Sequence, residues 1–310
     1  MSSSSSTNRV WLITGANSGL GLALAQYVLS QGDQVIAAVR KTSSIPETIK
    51  AAKPLVLELN ASDAEIKQAG AEALKIYGRV DVLVNNAGYC LTGVLEELDD
   101  ADIKSEFQTN FFGTVSLTQA LLPAFRAQKS GHILNLSSVA ALAGGSPFSM
   151  YNASKAALEG THIHTPATEA LSVELAPYNI RALIIEPGYF PTNFLNTAGA
   201  NGVRPERVTG AYPDPSDVPK NYAARHLEFG QVGDLRKAAA RLSEVVSGTG
   251  LAKDFVEGGR REFVRVLLGP DCGTRIRAKV KLLSENVEAV EPIWSSTDMD
   301  AETLKKFSQQ

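Results

Sequence analysis

The sequence has little of what marks a secreted, membrane-spanning or metal-binding protein. It holds two cysteines in 310 residues, Cys90 and Cys272, far apart and in no C-x-x-C pattern, which excludes a disulfide framework and argues against a thiolate metal site. No apolar run approaches the ~20 residues that a membrane-spanning helix needs. The N-terminal "MSSSSSTN" lacks the charged and apolar regions of a signal peptide. We therefore predict a cytoplasmic protein in a reducing compartment, with no membrane span and no metal.

A strong excess of either charge is also absent. The chain has 30 Lys and Arg against 33 Asp and Glu, a formal net charge of −3, and so lacks the general basic field expected of a nucleic-acid-binding protein. The short basic segment Arg275–Lys281 is typical of a solvated helix face. Since 44% of the residues are hydrophobic, the chain can build a sizeable core. The composition predicts a globular protein, and the charge balance argues against nucleic acid as its main partner.

The chain alternates between two hydrophobic periods. Segments with the period of a helix separate six short apolar runs. These runs lie at residues 10–14, 34–39, 54–59, 81–88, 131–138 and 180–188. Strands that are apolar on both faces and alternate with helices indicate a parallel sheet covered on both sides. We predict an α/β fold, a doubly wound parallel sheet of Rossmann type, which binds ligands at the carboxyl ends of its strands.

The domain organisation follows from where this pattern stops. We predict that residues 1–8 are a disordered tail and that residues 9–310 form a single domain. Residues 196–234 are rich in Gly, Pro, Asn and Asp and form too long a segment for a simple connection. A helical pattern at 235–246, a strand pattern at 263–269 and a final apolar helical stripe follow. Residues 195–310 are therefore predicted to form a substrate lid and a C-terminal extension.

A glycine-rich turn, "TGANSGLG", joins the first strand to the first helix. Glycines there let the backbone approach a pyrophosphate, and the helix N-terminus supplies free N–H groups. The spacing is G-x-x-x-G-x-G, and an ordinary tight turn is the alternative interpretation. The turn predicts a dinucleotide site at Gly15, Asn17, Ser18, Gly19, Leu20 and Gly21.

Arg40 directly follows the second strand. An acidic residue near this position would hold the ribose 2′-hydroxyl of NAD, whereas a basic residue suits the 2′-phosphate of NADP. Lys41 adds a second base, and no acid is present. An exposed, solvated arginine is the alternative. We predict NADP(H) in preference to NAD(H).

Tyr151 and Lys155 stand four residues apart in a segment that favours a helix, and so share one helix face. A phenol, with a pKa of about 10, is a poor acid–base group at pH 7. A nearby ammonium lowers that pKa and would let the tyrosine exchange a proton with a carbonyl or alcohol. Taken alone, the pair favours a surface tyrosine and a solvated lysine.

Further motifs accompany this pair in order: "NNAG" at Asn85–Gly88, Asn110 in "TNFFG", "LSS" ending at Ser138, and "PGYFPT" at Pro187–Thr192. With "TGANSGLG" and "YNASK", they make residues 10–194 resemble the short-chain dehydrogenase/reductase family in its single-domain form. The resemblance implies hydride transfer between a nicotinamide and a carbonyl or alcohol carbon.

The resemblance also implies roles for individual residues. Tyr151 would be the general acid/base, and Lys155 would lower its pKa and bind the nicotinamide ribose. Ser138, rather than Ser137, would hold the substrate oxygen, and Asn110 a water in the proton relay. Asn60 would lie near the adenine, where family members often carry Asp. The remaining implied cofactor contacts are Asn86, Ala87, Gly88, Pro187, Gly188, Phe190 and Thr192.

The C-terminal part resembles retinol-dehydrogenase-like and 17β-hydroxysteroid-dehydrogenase-like members from fungi and bacteria, some of which serve secondary metabolism. An apolar pocket would suit a lipophilic or aromatic substrate, although core packing is an equal interpretation for most of its candidates. A catalytically silent NADP(H)-binding sensor or scaffold is the alternative function. The pocket candidates are Tyr89, Leu91, Leu142, Phe148, Tyr189, Phe190 and Phe194.

A departure from the family lies at residues 161–167, where "THIHTPA" interrupts the helix that carries Tyr151. His162 and His164 are two residues apart, do not share a helix face and have no cluster of other ligands beside them, so a solvated loop is favoured. We predict a loop or bulge between two helical segments, with the Tyr151–Lys155 turn undisturbed. The insert puts the family's homo-oligomer in doubt.

Overall fold

The computed structural model describes residues 8–160, 167–194, 207, 209–212, 233–257 and 263–299. The predicted tail, except its last residue, lies outside these ranges. So do residues 161–166 of the insert, with His162 and His164, and most of the predicted lid. The single-domain boundaries accordingly stay a prediction.

Seven parallel strands form one sheet, in the order β3-β2-β1-β4-β5-β6-β7. Successive strands are added to one side of β1 up to β3 and to its other side from β4 onward. A doubly wound sheet opens a crevice for a ligand at this switch point between β1 and β4. The predicted fold class is confirmed. The strands are β1 Val10–Thr14, β2 Gln34–Val39, β3 Lys53–Val56, β4 Val82–Asn85, β5 Gly131–Leu136, β6 Ile180–Pro187 and β7 Arg265–Leu268.

One strand is shorter than its apolar run predicts. The run at 54–59 predicts a strand to Leu59, but β3 ends at Val56. The Leu57 amide still donates to the carbonyl of Val39, after which the chain leaves the sheet. β3 is one of the two edge strands, so only one neighbour holds it in the ladder.

Helices cover both faces of the sheet. The helical segment between β4 and β5 contains one wide π-helical turn, Gln108–Phe112, which includes Asn110. The helices are α1 Gly19–Ser30, α2 Asp63–Tyr77, α3 Asp100–Phe107, α4 Gly113–Gln128, α5 Ala140–Ala143, α6 Ser149–Glu159, α7 Ala167–Leu175, α8 Leu235–Ser247, α9 Lys253–Glu257, α10 Pro270–Ala289 and α11 Glu291–Trp294.

The two faces of the sheet carry separate halves of the core. Alternate residues of β1 point to opposite faces: Trp11 and Ile13 pack on the side of α1 and α8, and Leu12 packs with Leu117 and Phe125 of α4 on the other side. Each strand is thus buried on both faces, which accounts for its continuous apolar run. This packing fixes the carboxyl ends of the strands along one edge of the sheet.

Helix α10 contains the predicted C-terminal apolar stripe. Val280, Leu283 and Val287 on it are each about half exposed. None of the described helices is long and apolar enough to cross a membrane.

Candidate active site

A cleft of about 1380 Å³ opens at the carboxyl ends of the strands. Pockets for a single small ligand range from roughly 300 to 1,000 Å³, so this cleft has room for more than one. The sequence-predicted residues that line it are Gly15, Asn17, Ser18, Gly19, Leu20, Arg40, Asn60, Asn86, Ala87, Gly88, Ser138, Tyr151, Lys155, Pro187, Gly188, Phe190 and Thr192.

Gly21 and Asn110 are predicted site residues that lie behind the cleft wall. A Cβ atom on Gly21 would come within 2.5 Å of Asn86 Nδ2 and 2.6 Å of the Gly15 carbonyl oxygen. Gly21 thus lets the first helix approach the turn, while Gly15 takes a left-handed φ of +65° that favours glycine. The side-chain amide Nδ2 of Asn86 donates to the Thr14 carbonyl at 2.8 Å. This bond holds the "NNAG" segment against the glycine-rich turn.

The end of the cleft next to the last residue of β2 carries positive charge. Arg40 is exposed at the end of β2, and Lys41 lines the cleft beside it. Asn17 Nδ2 donates to Ser44 Oγ at 3.1 Å, and this hydroxyl donates to the Lys41 carbonyl at 2.6 Å. Sequence reasoning missed Ser44, because its place in the cleft depends on the short 3₁₀ turn Thr42–Ser44.

Tyr151 and Lys155 are buried on the same side of α6, as their spacing predicts. Lys155 Nζ donates to the Leu136 carbonyl at the end of β5, at 2.8 Å. This bond joins the Lys155 ammonium to the sheet. Phe194 packs against the Tyr151 ring, with 5.6 Å between the ring centroids.

Burial dominates the acid–base properties of this pair. It raises the pKa of the Tyr151 phenol above its usual range, assisted by Cys90 and opposed by Ser138. Burial also lowers the pKa of Lys155 to about 8, against the charges of Glu106 and Glu159. The expected net lowering of the Tyr151 pKa is therefore not found, because burial raises it and Lys155 is not among the groups that act on it. The phenol is held in its protonated form.

The hydroxyls of Ser138 and Ser137 have different hydrogen-bond partners. Ser138 lines the cleft, and its Oγ accepts a hydrogen bond from the Ala140 amide at 3.1 Å. Ser137 also lines the cleft, but its hydroxyl donates to the buried carboxylate of Glu159. The Ser137 hydroxyl is thus engaged by a carboxylate, and the choice of Ser138 as the residue that holds the substrate oxygen stays a prediction.

Asn110 lies in the π turn and holds the segment after β4. Its Nδ2 donates to the Tyr89 carbonyl and to Ser154 Oγ, both at 2.9 Å, and its Oδ1 accepts from the Tyr89 amide at 3.1 Å. A Cβ atom on Gly88 would lie 2.8 Å from Asn110 Oδ1 and 3.3 Å from Lys155 Nζ, so both groups flank one point of the backbone. The role of holding a water stays a prediction.

The substrate side of the cleft departs from the predictions at two residues. Leu142 does not line it, although the other six pocket candidates do. Arg275, predicted as part of a solvated face, instead reaches the cleft, where it donates to the Tyr189 hydroxyl at 2.8 Å and to the Ala143 carbonyl. Sequence reasoning missed it because its partners lie 86 and 132 residues earlier.

Among the described residues, no group of three or more His, Cys, Asp or Glu could hold a metal.

A doubly wound sheet with this cleft and with Ser138, Tyr151 and Lys155 gathered in it defines a class of oxidoreductase. The family model described as "short chain dehydrogenase" matches residues 9–201, and the chain belongs to this family. It is a dehydrogenase/reductase that acts on CH–OH and C=O groups of small molecules.

Similar proteins include fungal oxidoreductases. Oxidoreductase claN of Passalora fulva is 42% identical over 66% of this chain and 92% of its own length. Oxidoreductase BOA17 of Botryotinia fuckeliana is 31% identical over 90% of this chain and 96% of its own.

Solved structures share the fold. A short-chain dehydrogenase from Streptomyces avermitilis is 32% identical, with a TM-score of 0.75, over 95% of this chain and all of its own. A 3-ketoacyl-(acyl-carrier-protein) reductase from Brucella melitensis, complexed with NADH, is 27% identical, with a TM-score of 0.56, over 70% of this chain and 90% of its own.

Proposed function

We propose that the protein is an NADP(H)-dependent reductase of a carbonyl group on a lipophilic or aromatic small molecule, and that it oxidises the corresponding alcohol in reverse. The observation that carries this proposal is the meeting of Ser138, Tyr151 and Lys155 in one cleft with the glycine-rich turn. A place in secondary-metabolite biosynthesis belongs to the same proposal, in keeping with the fungal oxidoreductase relatives.

The cleft suits a dinucleotide along most of its length. Gly15 and Gly19 leave the turn before α1 free of Cβ atoms at left-handed φ values, and the N-terminus of this helix favours phosphate. Asn60 would lie beside the adenine, and Arg40 with Lys41 would meet a 2′-phosphate. Asn86, Ala87 and Gly88 would line the middle of the cofactor. The residues that would cover the nicotinamide are Pro187, Gly188, Phe190 and Thr192.

The chain's own residues would orient the substrate and move one proton. The bound dinucleotide would supply or accept the hydride. Ser138 Oγ would donate a hydrogen bond to the substrate carbonyl oxygen. Because burial holds the Tyr151 phenol in its protonated form, it would serve as the general acid that protonates this oxygen. Lys155, fixed by the Leu136 carbonyl, would stabilise the phenolate left behind.

The substrate end of the cleft supports a ligand with apolar or aromatic surface. Leu91, Phe148 and Phe194 line it beside Tyr151. Most of such a ligand's surface would be buried against these side chains, and Ser138 and Tyr151 would orient the carbonyl.

The choice between NADP(H) and NAD(H) is tested by Arg40→Ala. Loss of a charge-assisted hydrogen bond to a phosphate weakens binding by about tenfold or more. We expect KM for NADPH to rise by about 10- to 100-fold, and KM for NADH to change by less than about twofold. Initial rates at varied cofactor concentration measure both constants. Arg236→Ala, which removes an arginine that is 92% exposed, is the matched control. An equal change in both KM values would contradict a 2′-phosphate contact.

The function itself is tested by following NADPH oxidation with a panel of lipophilic ketones and aldehydes. Turnover of at least one carbonyl, with NADPH preferred over NADH, is the expected result. Tight NADPH binding without turnover across the panel would favour the silent sensor.

A further inference from the structure

Glu106 is a buried carboxylate that the functions assigned above do not use. It lies near the end of α3, is inaccessible to solvent, and accepts a hydrogen bond from the Leu91 amide on Oε1, at 2.8 Å. Its Oε2 is buried without a hydrogen-bond partner among the described residues. An ionised carboxylate in such a place is unfavourable unless something compensates its charge.

The position of Glu106 connects it to the acid–base residues. It precedes Asn110 by four residues, and the two side chains hold the same short segment after β4: Asn110 bonds both backbone groups of Tyr89, and Glu106 bonds Leu91. Helix α3 also packs against α6, which carries Lys155. The segment that walls the cleft beside Tyr151 is thus fixed by two neighbouring turns of one helical stretch.

Lys155 is a cation whose charge acts on the buried Glu106 carboxylate. Burial raises the pKa of Glu106 to about 7, whereas the Leu91 bond and the Lys155 charge lower it. The effect is reciprocal, since Glu106 leads the charges that raise the pKa of Lys155. Glu159 also raises the Lys155 pKa, but it shares its charge with Arg265. The negative charge of Glu106 further raises the pKa values of Tyr89, Cys90 and Tyr151 around it.

We propose that Glu106 is a positioning residue of the active site: its buried carboxylate stabilises the ammonium form of Lys155 and holds the Tyr89–Leu91 segment against the cleft. This inference rests on the proposed function for the consequence in catalysis. In carbonyl reduction the Lys155 ammonium must persist to stabilise the Tyr151 phenolate. Removing the Glu106 charge would make Lys155 lose its proton at lower pH.

The kinetic test compares Glu106→Gln with the wild type from pH 5 to pH 10. Glutamine keeps an oxygen that can accept from Leu91, so mainly the charge is lost. We expect the alkaline limb of kcat/KM for carbonyl reduction to move to lower pH by about 1 unit. Glu97→Gln is the matched control, because Glu97 is also buried with an unpartnered Oε2 yet is not among the groups that act on Lys155. Its profile should coincide with that of the wild type.

A second readout needs neither substrate nor cofactor. In protein labelled with ¹³C at lysine Cε, the Lys155 resonance is assigned by its absence from Lys155→Met, and its titration is followed by NMR. We expect the midpoint near pH 8 in the wild type and about 1 unit lower in Glu106→Gln. Equal midpoints would overturn the proposal even if the enzyme reduces carbonyls. A lowered midpoint in a protein without turnover would support the proposal and count only against the proposed function.

Glu106→Asp separates charge from shape. It keeps the carboxylate one methylene further from Leu91, so the Lys155 midpoint should stay within about 0.3 unit of the wild type. A shift as large as that of Glu106→Gln would mean that packing, rather than charge, sets the Lys155 midpoint, and would overturn the proposal. If Glu106→Gln does not fold, the wild-type titration still decides, because interacting sites titrate in two steps. The Lys155 resonance must then report a second ionisation near pH 7, and its absence would contradict the inference.

Discussion

Replacing Tyr151 with Phe is expected to lower kcat for carbonyl reduction by about 10²- to 10⁴-fold, the usual contribution of a positioned general acid. The substitution removes the one hydroxyl on α6 that lies in the cleft beside Ser138. It keeps the aromatic ring that packs against Phe194 at 5.6 Å between centroids. Substrate binding should therefore change little, and the loss should fall on kcat rather than KM.

The measurement is steady-state NADPH oxidation with the best carbonyl from the substrate panel, together with NADPH binding by fluorescence titration. Tyr178→Phe is the matched control, since Tyr178 is 40% exposed and lies outside the residues that line the cleft. We expect wild-type kcat for the control and wild-type NADPH affinity for both variants. Equal turnover by Tyr151→Phe and wild type would remove Tyr151 from the role of proton donor.

The parts of the site that sequence predicts are those set by local periodicity and sheet topology. Tyr151 and Lys155 share a face because a helix repeats every 3.6 residues. The glycine-rich turn and the "NNAG" segment meet because parallel strands β1 and β4 end at the same edge. Thr14 Oγ1 completes this junction by accepting hydrogen bonds from the amides of Asn86 and Ala87, both at 2.9 Å.

The parts that sequence could not predict depend on contacts distant along the chain or on burial. Glu106 stands in an ordinary amphipathic helix, and only tertiary packing removes it from water. Arg275 belongs to a basic segment, and its turn toward Tyr189 is decided by the packing of α10 on α5. The direction of the Tyr151 pKa shift also reverses the expectation, since desolvation is a property of the assembled site.

The turn of α6 that carries Tyr151 and Lys155 is undisturbed by the neighbouring insert at residues 161–167. Helix α6 runs to Glu159, and Gly160 follows with a φ of +83°, a conformation that favours glycine. Helix α7 begins at Ala167. Tyr151 and Lys155 lie in the first two turns of α6, well before this break. Whether the insert alters assembly stays a prediction.

A single arginine joins the elements on the two sides of the insert. Arg265 of β7 donates through Nη1 to Glu159 of α6 at 2.6 Å and to Glu186 of β6 at 3.1 Å, and through Nη2 to Glu169 of α7 at 3.2 Å. Glu159 and Glu186 are buried. Glu159 also accepts from Ser137, the neighbour of Ser138. This cluster therefore supports the segment of Ser137 and Ser138 that lines the cleft.

Arg265→Met is expected to lower the free energy of unfolding by about 3 kcal/mol at pH 8, because it leaves buried carboxylates without their cation. At pH 5 the loss should be smaller. Burial raises the pKa of Glu186 to about 7, above its unfolded value of about 4.3, and raises that of Glu159 as well. Protonation of such groups stabilises the folded chain fully below the unfolded pKa, and this contribution is lost as pH rises through the folded pKa.

Arg265 opposes both shifts in the wild type, so the variant should lose stability more steeply and up to a higher pH. Urea unfolding at pH 5 and pH 8, with Arg236→Met as the exposed control, measures the difference. A loss of equal size at both pH values would show that Arg265 acts through packing of its alkyl stem rather than through its charge. The expected pH-dependent loss would instead mean that Arg265 compensates the charge of the buried carboxylates Glu159 and Glu186. Of these two, Glu159 accepts from Ser137 and raises the pKa of Lys155.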